Sequence, residues 1–191
     1  MKFHAFKSLL LVIAATGTFA GSAFAQQKLI PAQSSISFVT KQMGVALEGQ
    51  FKKFDAQIAF DTAKPDSAKI AFTVDTASAT LGAPESDAEL PKAPWFNVPK
   101  FPQASFQSSA VKSLGGGKFQ VSGKLTIKGN VRDVDVPVAL SQAGGITTVV
   151  GQFNIKRLAF KIGEGEWEDT SMVADDVLVK LKLAISGMGK L

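Results

Sequence analysis

The feature that most constrains this chain is an alternation of apolar and polar residues with a period of two, which begins near Ser34. Successive side chains of a β-strand point to opposite faces, so this period predicts strands with one apolar face. The apolar positions are Ile36 and Phe38; Phe54, Ala56, Ile58 and Phe60; Ala68, Ile70, Phe72 and Val74; Phe119, Val121, Gly123, Leu125 and Ile127; Val134, Val136, Val138 and Leu140; Val149, Gly151, Phe153 and Ile155; and Val177, Val179, Leu181, Leu183 and Ile185.

Turn-forming residues separate these runs at 64–66, 115–117, 128–130 and 144–145. About eight strands with short connections and almost no helical periodicity predict an all-β fold. Such a pattern is typical of a meandering antiparallel barrel or sandwich.

The middle of the chain, residues 85–102, interrupts the strand pattern with the sequence ESDAELPKAPWFNVPKFP. It predicts a helical turn over 86–90, followed by four prolines with Trp95, Phe96 and Phe101 between them. We expect this long, proline-stiffened connection to lie across one mouth of a barrel as a lid.

The first 25 residues have the character of an export signal. Lys2 and Lys7 precede a short apolar run, and the sequence AFA at 23–25 has the small-x-small pattern that signal peptidase cuts. Polar residues interrupt the run before it reaches the ~20 apolar residues that a membrane-spanning helix needs. We expect a cleaved signal peptide at 1–25, one domain at 26–191 and export to the periplasm.

Several kinds of chemistry are excluded by composition. The chain has no cysteine, and its one histidine, His4, lies in the expected signal. Nucleophilic sites that use His or Cys, the usual zinc sites and haem or iron–sulfur ligation through these residues are therefore excluded. Without the signal, 19 basic and 16 acidic residues give a net charge of +3, which is too mild to indicate a nucleic-acid partner.

The apolar inner face has two interpretations, which composition leaves open. One is a solid packed core, and the other is a barrel wide enough to hold one apolar ligand. Small inward residues such as Ala56, Ala68 and Gly123 leave room for a guest, whereas the many phenylalanines fill space.

Four segments together resemble the YceI-like family of bacterial exported proteins: SSISFVTKQMGVALEGQFKKF, WFNVPKFPQASFQSSAV, FQVSGKLTIKGNVRDVDVPV and IKRLAFKIGEGEWEDTSMVADDVLVKLKL. The most specific parts are the aromatic-Phe-x-x-x-x-Phe-Pro-x-Ala-x-Phe element from Trp95 to Phe106 and the Gly-x-Leu-Thr-Ile-x-Gly hairpin from Gly123 to Gly129. The resemblance covers nearly the whole of the expected mature chain.

This resemblance implies a lipocalin-like antiparallel barrel whose tunnel holds an isoprenoid chain, with a polyprenyl phosphate or an isoprenoid quinone as the ligand class. Many relatives carry histidines where this chain has Gln33 and Gln42, so no histidine role is carried over. The predicted tunnel-lining residues are Phe38, Met43, Phe51, Phe54, Phe72, Trp95, Phe96, Phe101, Phe106, Phe153, Phe160 and Trp167.

An anionic head group would need a basic side chain at the barrel mouth. The candidates are Lys41, Arg132 and Arg157. Strand parity does not decide which end is open, so each of the three can also be an ordinary surface charge. A neutral quinone head would make them irrelevant.

The segment GEGEWEDT at 163–170 gathers acidic residues around Trp167. In an extended chain, Glu164, Glu166 and Glu168 would share one side and could receive a hard cation, although the spacing is not that of an EF-hand. A carboxylate pair for glycoside hydrolysis lacks a recognisable cleft. We interpret the segment as a solvated loop whose tryptophan folds inward, and we hypothesise that Trp167, Trp95 and Phe96 gate the tunnel.

The sequence therefore predicts a non-enzymatic periplasmic carrier of an isoprenoid lipid, with no metal, cofactor or catalytic residue. The alternative is an envelope interaction module with a solid core, associated with membrane redox components or a stress response. Expected partners are the lipid and a membrane surface or membrane redox protein. No nucleic-acid partner is expected, and the chain is expected to be a monomer or a homodimer.

Overall fold

The computed structural model describes residues 27–191, so the signal peptide expected at 1–25 lies outside the described residues. This part of the chain forms one antiparallel sheet of eleven strands and one short helix, α1 (Pro84–Glu89). The strands are β1 (Lys28–Leu29), β2 (Ser35–Gln42), β3 (Val45–Phe51), β4 (Phe54–Ala59), β5 (Lys69–Asp75), β6 (Ala79–Thr80), β7 (Gln103–Gly115), β8 (Lys118–Ile127), β9 (Asn130–Ala143), β10 (Ile146–Lys156) and β11 (Asp176–Ser186). No helix within 27–191 is long and apolar enough to cross a membrane.

The sheet curls into a barrel with the strand order β4-β5-β7-β8-β9-β10-β11-β2-β3-β6, and β1 pairs with β11. Its two edges come together where β3 continues into β4 through a bend at Lys52 and Lys53. At the other end of β4, the backbone N–H of Phe60 donates to the Gln27 side chain at 2.9 Å, and the Gln27 amide donates to the Phe60 carbonyl at 2.6 Å. The predicted all-β antiparallel barrel is confirmed, with more strands than the eight expected.

Four hairpins close through two-residue turns in which both residues have positive φ, at 43–44, 116–117, 128–129 and 144–145. Turns of this kind match the right-handed twist of paired strands. The glycine-containing turns near 116, 128 and 144 were predicted, whereas the turn of Met43 (φ 48°) and Gly44 (φ 81°) was not.

The alternation missed two long strands, β3 and β7, for different reasons. In β7 a bulge between Ser108 and Ala110 shifts the register against β8. Phe106 and Val111 therefore both reach the barrel interior although they are an odd number of residues apart. In β3 the inward positions include Gly49, which removes one apolar residue from the pattern.

The lid, residues 90–102, crosses one end of the barrel after α1, as predicted. Its residues Leu90 and Phe96 are buried, and the Phe96 N–H donates to the Leu90 carbonyl at 3.0 Å. Asp87 of α1 accepts hydrogen bonds from the Thr80 hydroxyl and the Leu81 N–H, and both bonds lower the pKa of its carboxyl. These contacts fix α1 and the start of the lid to the end of β6.

Two apolar clusters lie at opposite ends of the barrel interior. The capped end, beneath the lid, contains Ala79, Leu90, Phe96, Ala104, Ile127, Ile155, Phe160 and Ile162. The far end contains Phe60, Val111, Phe119, Val121 and Val136. The space between the two clusters holds the candidate site.

Candidate ligand-binding site

A cavity of about 330 Å³ lies inside the barrel between the capped end and the far end. Its wall is made of inward-facing aliphatic and aromatic side chains from the strands and the lid. The polar exceptions among the described residues are Thr40, Gln42, Ser86, Glu89, Ser105 and Arg157. This volume falls within the range of about 300–1,000 Å³ that is usual for ligand pockets. The barrel interior therefore contains an apolar cavity and is not a solid packed core.

Eight of the predicted lining residues lie on the cavity wall: Phe38, Phe51, Phe72, Trp95, Phe96, Phe106, Phe153 and Trp167. Three of their rings form a continuous aromatic surface that runs from β2 to the lid. The Phe38 and Phe51 ring centroids are 5.4 Å apart, and those of Phe51 and Phe96 are 5.8 Å apart. Contacts of this geometry are favourable between aromatic rings.

Glycines on the inner face let phenylalanine rings lie along the wall. A Cβ atom on Gly49 would collide with the ring of Phe38, its partner across the β2–β3 ladder. A Cβ on Gly123 would collide in the same way with the ring of Phe106. The room at Gly123 is therefore occupied by a neighbouring ring, which corrects the expectation that this glycine leaves space for a guest.

The structure places the other four predicted lining residues, Met43, Phe54, Phe101 and Phe160, off the described wall. Met43 occupies the β2–β3 turn and is 66% exposed, because the positive φ of a turn residue takes it out of the strand alternation. Phe54 begins β4 after the bend and lies in a shallow surface pocket beside Pro31 and Lys53.

Phe101 and Phe160 support the capped end from behind the wall. The Phe101 ring packs on Gly129 in the β8–β9 turn, and the Lys100 ammonium lies 5.4 Å from its centroid. Phe160 is only 2% exposed and belongs to the apolar cluster of the capped end. Both were predicted to line the tunnel, and the structure places neither on the described cavity wall.

Arg157 clamps the connection between β10 and β11. Its five N–H donors all bind backbone carbonyls: those of Ile162, Gly163, Trp167, Val173 and Ala174, at 2.6–3.2 Å. Burial lowers the pKa of this guanidinium, and the carboxylates of Asp175 and Glu168 act in the opposite sense. The clamp fixes Trp167, whose ring centroid lies 5.5 Å from that of Trp95.

Lys128 performs a similar function from the β8–β9 turn, and the sequence reasoning missed it. Its ammonium donates to the carbonyls of Ala93 and Lys161, both at 2.7 Å, and contacts the Glu164 carboxylate at 2.7 Å. It thereby joins the lid to the loop that carries Trp167. The sequence contained one indication of this role. The turn predicted at 128–130 begins with lysine, whereas Asn, Asp or Gly is preferred at the first position of such a two-residue turn.

The segment 163–170 differs from the extended chain considered for a cation site, because Gly165–Glu168 form a 3₁₀ turn. Glu164 pairs with Lys128, which lowers the pKa of its carboxyl, while Glu166 and Glu168 are exposed. No group of three or more potential metal ligands occurs in the part of the chain that the structure describes. Trp167 faces the cavity, in agreement with the inward orientation predicted for it.

None of the three head-group candidates offers a free cationic group to the cavity. Lys41 is exposed, next to Thr40 and Gln42, which reach the wall on either side of it. Arg132 is exposed and donates to the Val131 carbonyl at 2.7 Å. Arg157 does reach the wall, but its five donors are all used by backbone carbonyls.

Wall residues are partly exposed at both ends of the cavity. At the capped end they include Gln42, Ser86 and Glu89, whose side chain is 46% exposed. At the far end Leu140 and Met188 are also half-buried. The two tryptophans lie at the capped end.

A lidded antiparallel barrel with an apolar interior cavity gives this molecule a lipocalin-like fold. The model of the YceI-like domain matches residues 27–185, and the chain belongs to that family. A UPF0312 protein of Ectopseudomonas mendocina (strain ymp) is 33% identical over 131 residues, which cover 66% of this chain and 69% of that protein.

Solved structures similar to this chain include the following two. Burkholderia cenocepacia BcnA is 46% identical, with a TM-score of 0.79 over 82% of this chain and 98% of that one. A polyisoprenoid binding domain from Saccharophagus degradans has a TM-score of 0.67 over 84% of this chain and 98% of that one, at 16% identity. At that identity the second similarity supports the fold alone.

Proposed function

We propose that this protein is a non-catalytic periplasmic carrier that holds an amphiphilic isoprenoid lipid, a polyprenyl phosphate or an isoprenoid quinone, in the barrel cavity. The observation that carries this proposal is the apolar cavity of about 330 Å³ between the two clusters. An interaction module with a solid core would have no such space. The Saccharophagus degradans protein of the same fold is a polyisoprenoid binding domain, which is in keeping with this ligand class.

The wall chemistry explains how such a lipid would be held. Each CH₂ group that leaves water for the aromatic and aliphatic wall contributes about 0.8 kcal/mol. Ordering the flexible tail offsets part of this gain. Because the rings of Phe38 and Phe51 are fixed by their neighbours before a ligand arrives, little further ordering of the wall is required.

A binding role without catalysis agrees with the titratable groups that reach the described wall. These are Glu89, whose carboxylate pairs with Lys92, and Arg157, whose donors are saturated by carbonyls. Neither is placed as a general acid or base against a buried reacting group.

The test is to purify the protein from the periplasm without detergent and to compare native mass spectrometry of the intact protein with analysis of a solvent extract. We expect a stoichiometric added mass that extracts as an isoprenoid lipid, on a polypeptide that begins near Gln26. Bare polypeptide, repeated after incubation with candidate isoprenoids, would contradict the proposal and favour the interaction module.

A variant sharpens this experiment. Gly49→Ala would place a Cβ against the Phe38 ring and 2.8 Å from the Thr80 carbonyl oxygen, so we expect less bound lipid together with a lower free energy of unfolding, and circular dichroism checks that the sheet still forms. Gly189→Ala is the matched control, because a Cβ there meets nothing within 4 Å. Equal lipid loading in both variants would show that the lipid does not occupy this cavity.

A further inference from the structure

The segment that follows β11, residues 187–191, lies at the far end of the barrel, and we call it the strap. β11 ends at Ser186, and Gly187 turns the chain with a φ of 78°, a conformation that favours glycine. Met188 then packs against the far-end cluster and lines the cavity. Part of the far-end wall is therefore supplied by a side chain from outside the strands.

Side chains from both sides of β11 hold the strap in place. The Gln142 amide, near the end of β9, donates to the Gly189 carbonyl at 3.1 Å and to the Met188 carbonyl at 3.5 Å. The Thr62 hydroxyl, after β4, donates to the Lys190 carbonyl at 3.2 Å. β9 lies on one side of β11, and β4 lies on the other side, next to β1. These bonds fix the position of Met188 at the end of the barrel.

The two ends of the cavity differ in polarity. Polar wall residues of the capped end include Gln42, Ser86 and Glu89. The far-end cluster and Met188 are apolar. An amphiphilic ligand is bound best when its polar group lies at the polar end and its apolar chain at the apolar end. The last carbon atoms of the bound chain would then meet Met188.

The place of Met188 gives it control over chain length. Each isoprene unit that fits inside the cavity leaves water and adds to the affinity. A unit that extends past Met188 finds no further apolar wall and has to displace the strap. In an apolar pocket, a misfit of one methylene group changes binding about tenfold or more.

We propose that Met188 is the end stop of the cavity, that it sets the longest apolar chain that the protein carries, and that Gln142 positions it through the strap. This inference rests on the proposed function and narrows its ligand class by the length of the tail. It holds for any head group, because the stop lies at the opposite end of the cavity.

The experiment offers the protein an excess of a mixture of free prenols that differ only in chain length. The protein is recovered by gel filtration, and mass spectrometry of a solvent extract identifies the longest prenol retained. We expect a sharp upper limit, with the next longer prenol retained about tenfold less or lower. Met188→Ala removes a side-chain length of about 4 Å, close to one isoprene unit, so the limit should rise by about one unit. Met188→Trp should lower the limit.

Two further variants separate the stop from its support. Leu191→Ala is the control, because Leu191 is 47% exposed and does not reach the described wall. Gln142→Leu removes the bonds to the strap, so we expect it to broaden the upper limit and not to shift it by one unit. A limit as sharp as that of the unmodified protein would overturn the positioning role of Gln142.

The remaining outcomes distinguish this inference from the proposed function. An equal limit in the unmodified protein and the Met188 variants, or an equal shift in Leu191→Ala, would overturn the end stop and leave the carrier proposal standing. Retention of no prenol by any of these proteins would overturn both.

Nuclear magnetic resonance of the methionine methyl groups gives a readout on the unmodified protein. The methionines after the expected signal are Met43, Met172 and Met188, and the first two are exposed and serve as internal references. A prenol at the length limit should move the Met188 methyl signal, which Met188→Ala assigns, whereas a short prenol should move it much less. Equal movement with both prenols would overturn the end stop.

Discussion

The two ends of the barrel are closed by different physical means. At the far end, strands supply most of the closing side chains, and the sheet pairs most of their backbone groups; the Gln27 side chain pairs the backbone of Phe60, which follows β4. Apolar contacts fill the interior there, as between the perpendicular rings of Phe60 and Phe119, 5.1 Å apart. At the capped end, irregular segments leave carbonyls that the sheet cannot pair, and buried Arg157 and Lys128 supply the donors.

This difference indicates which end of the barrel can carry polar functional groups. Because the strand backbones of the far end are mostly paired with each other, few polar side chains are needed there. The interior surface of the far end is therefore apolar. The capped end needs polar groups for its own stability, which the buried side chains of Arg157 and Lys128 supply. The following predictions test whether the two ends are separable.

The largest effect is expected at the far end. Phe119→Ala removes a ring that is 5% exposed and should lower the free energy of unfolding by about 3–5 kcal/mol. Denaturant unfolding followed by circular dichroism and by tryptophan fluorescence measures it. Both tryptophans lie at the capped end. We expect the circular dichroism and fluorescence transitions to coincide, because the barrel unfolds cooperatively as a unit. Phe54→Ala, at a half-buried position outside the cavity, should cost less.

Arg157→Met is the corresponding change at the capped end. It leaves five carbonyls without a donor, so we expect the free energy of unfolding to fall by about 3 kcal/mol. Here the fluorescence transition should precede the circular dichroism transition, because the loop that carries Trp167 loosens before the sheet. Coincident transitions would show that the capped end is not a separate unit. Arg157→Lys keeps the charge but not the fork of donors, and should recover only part of the loss.

Lys128→Met tests the link between the lid and the Trp167 loop. The buried Lys128 ammonium contacts the carbonyls of Ala93, Pro94 and Lys161 and the Glu164 carboxylate. Removing these contacts should lower the free energy of unfolding by about 2 kcal/mol and shift the tryptophan fluorescence. Lys124→Met is the control, since its pair with Asp133 is exposed and should be worth less than about 1 kcal/mol. Similar losses of unfolding free energy in the two variants would mean that the buried contacts of Lys128 stabilise the fold no more than an exposed ion pair does.

The far end and the wall could be predicted from the sequence because period two reports directly which residues face inward. The errors there arose where a turn or a bulge resets that period, as at Met43 and in β7. The capped end could not be predicted in the same way. Arg157 and Lys128 reach carbonyls up to 35 residues away along the chain, and no local pattern encodes such pairs.

The smallest effect concerns Glu164, the one carboxylate of the GEGEWEDT segment that joins the buried network. The Lys128 ammonium lowers the pKa of this carboxyl below its ordinary value of 4.5. A lowered pKa in the folded state means that the stabilisation is present above pH 4.5 and is lost as the pH falls through the folded value. Because the Glu164 side chain is 43% exposed, we expect its charge to contribute less than about 1 kcal/mol to the free energy of unfolding.

Unfolding free energies of the unmodified protein and of Glu164→Gln, measured from pH 7 downward, test this prediction. The two proteins should differ at neutral pH and converge below pH 4.5, since protonation then removes the charge that the variant lacks throughout. Glu166→Gln, at an exposed position, should show no such convergence. A constant difference for Glu164→Gln would mean that the carboxylate acts through its shape and not its charge. Lys128 would then stabilise the capped end through its carbonyl contacts, beside the carbonyl contacts of Arg157.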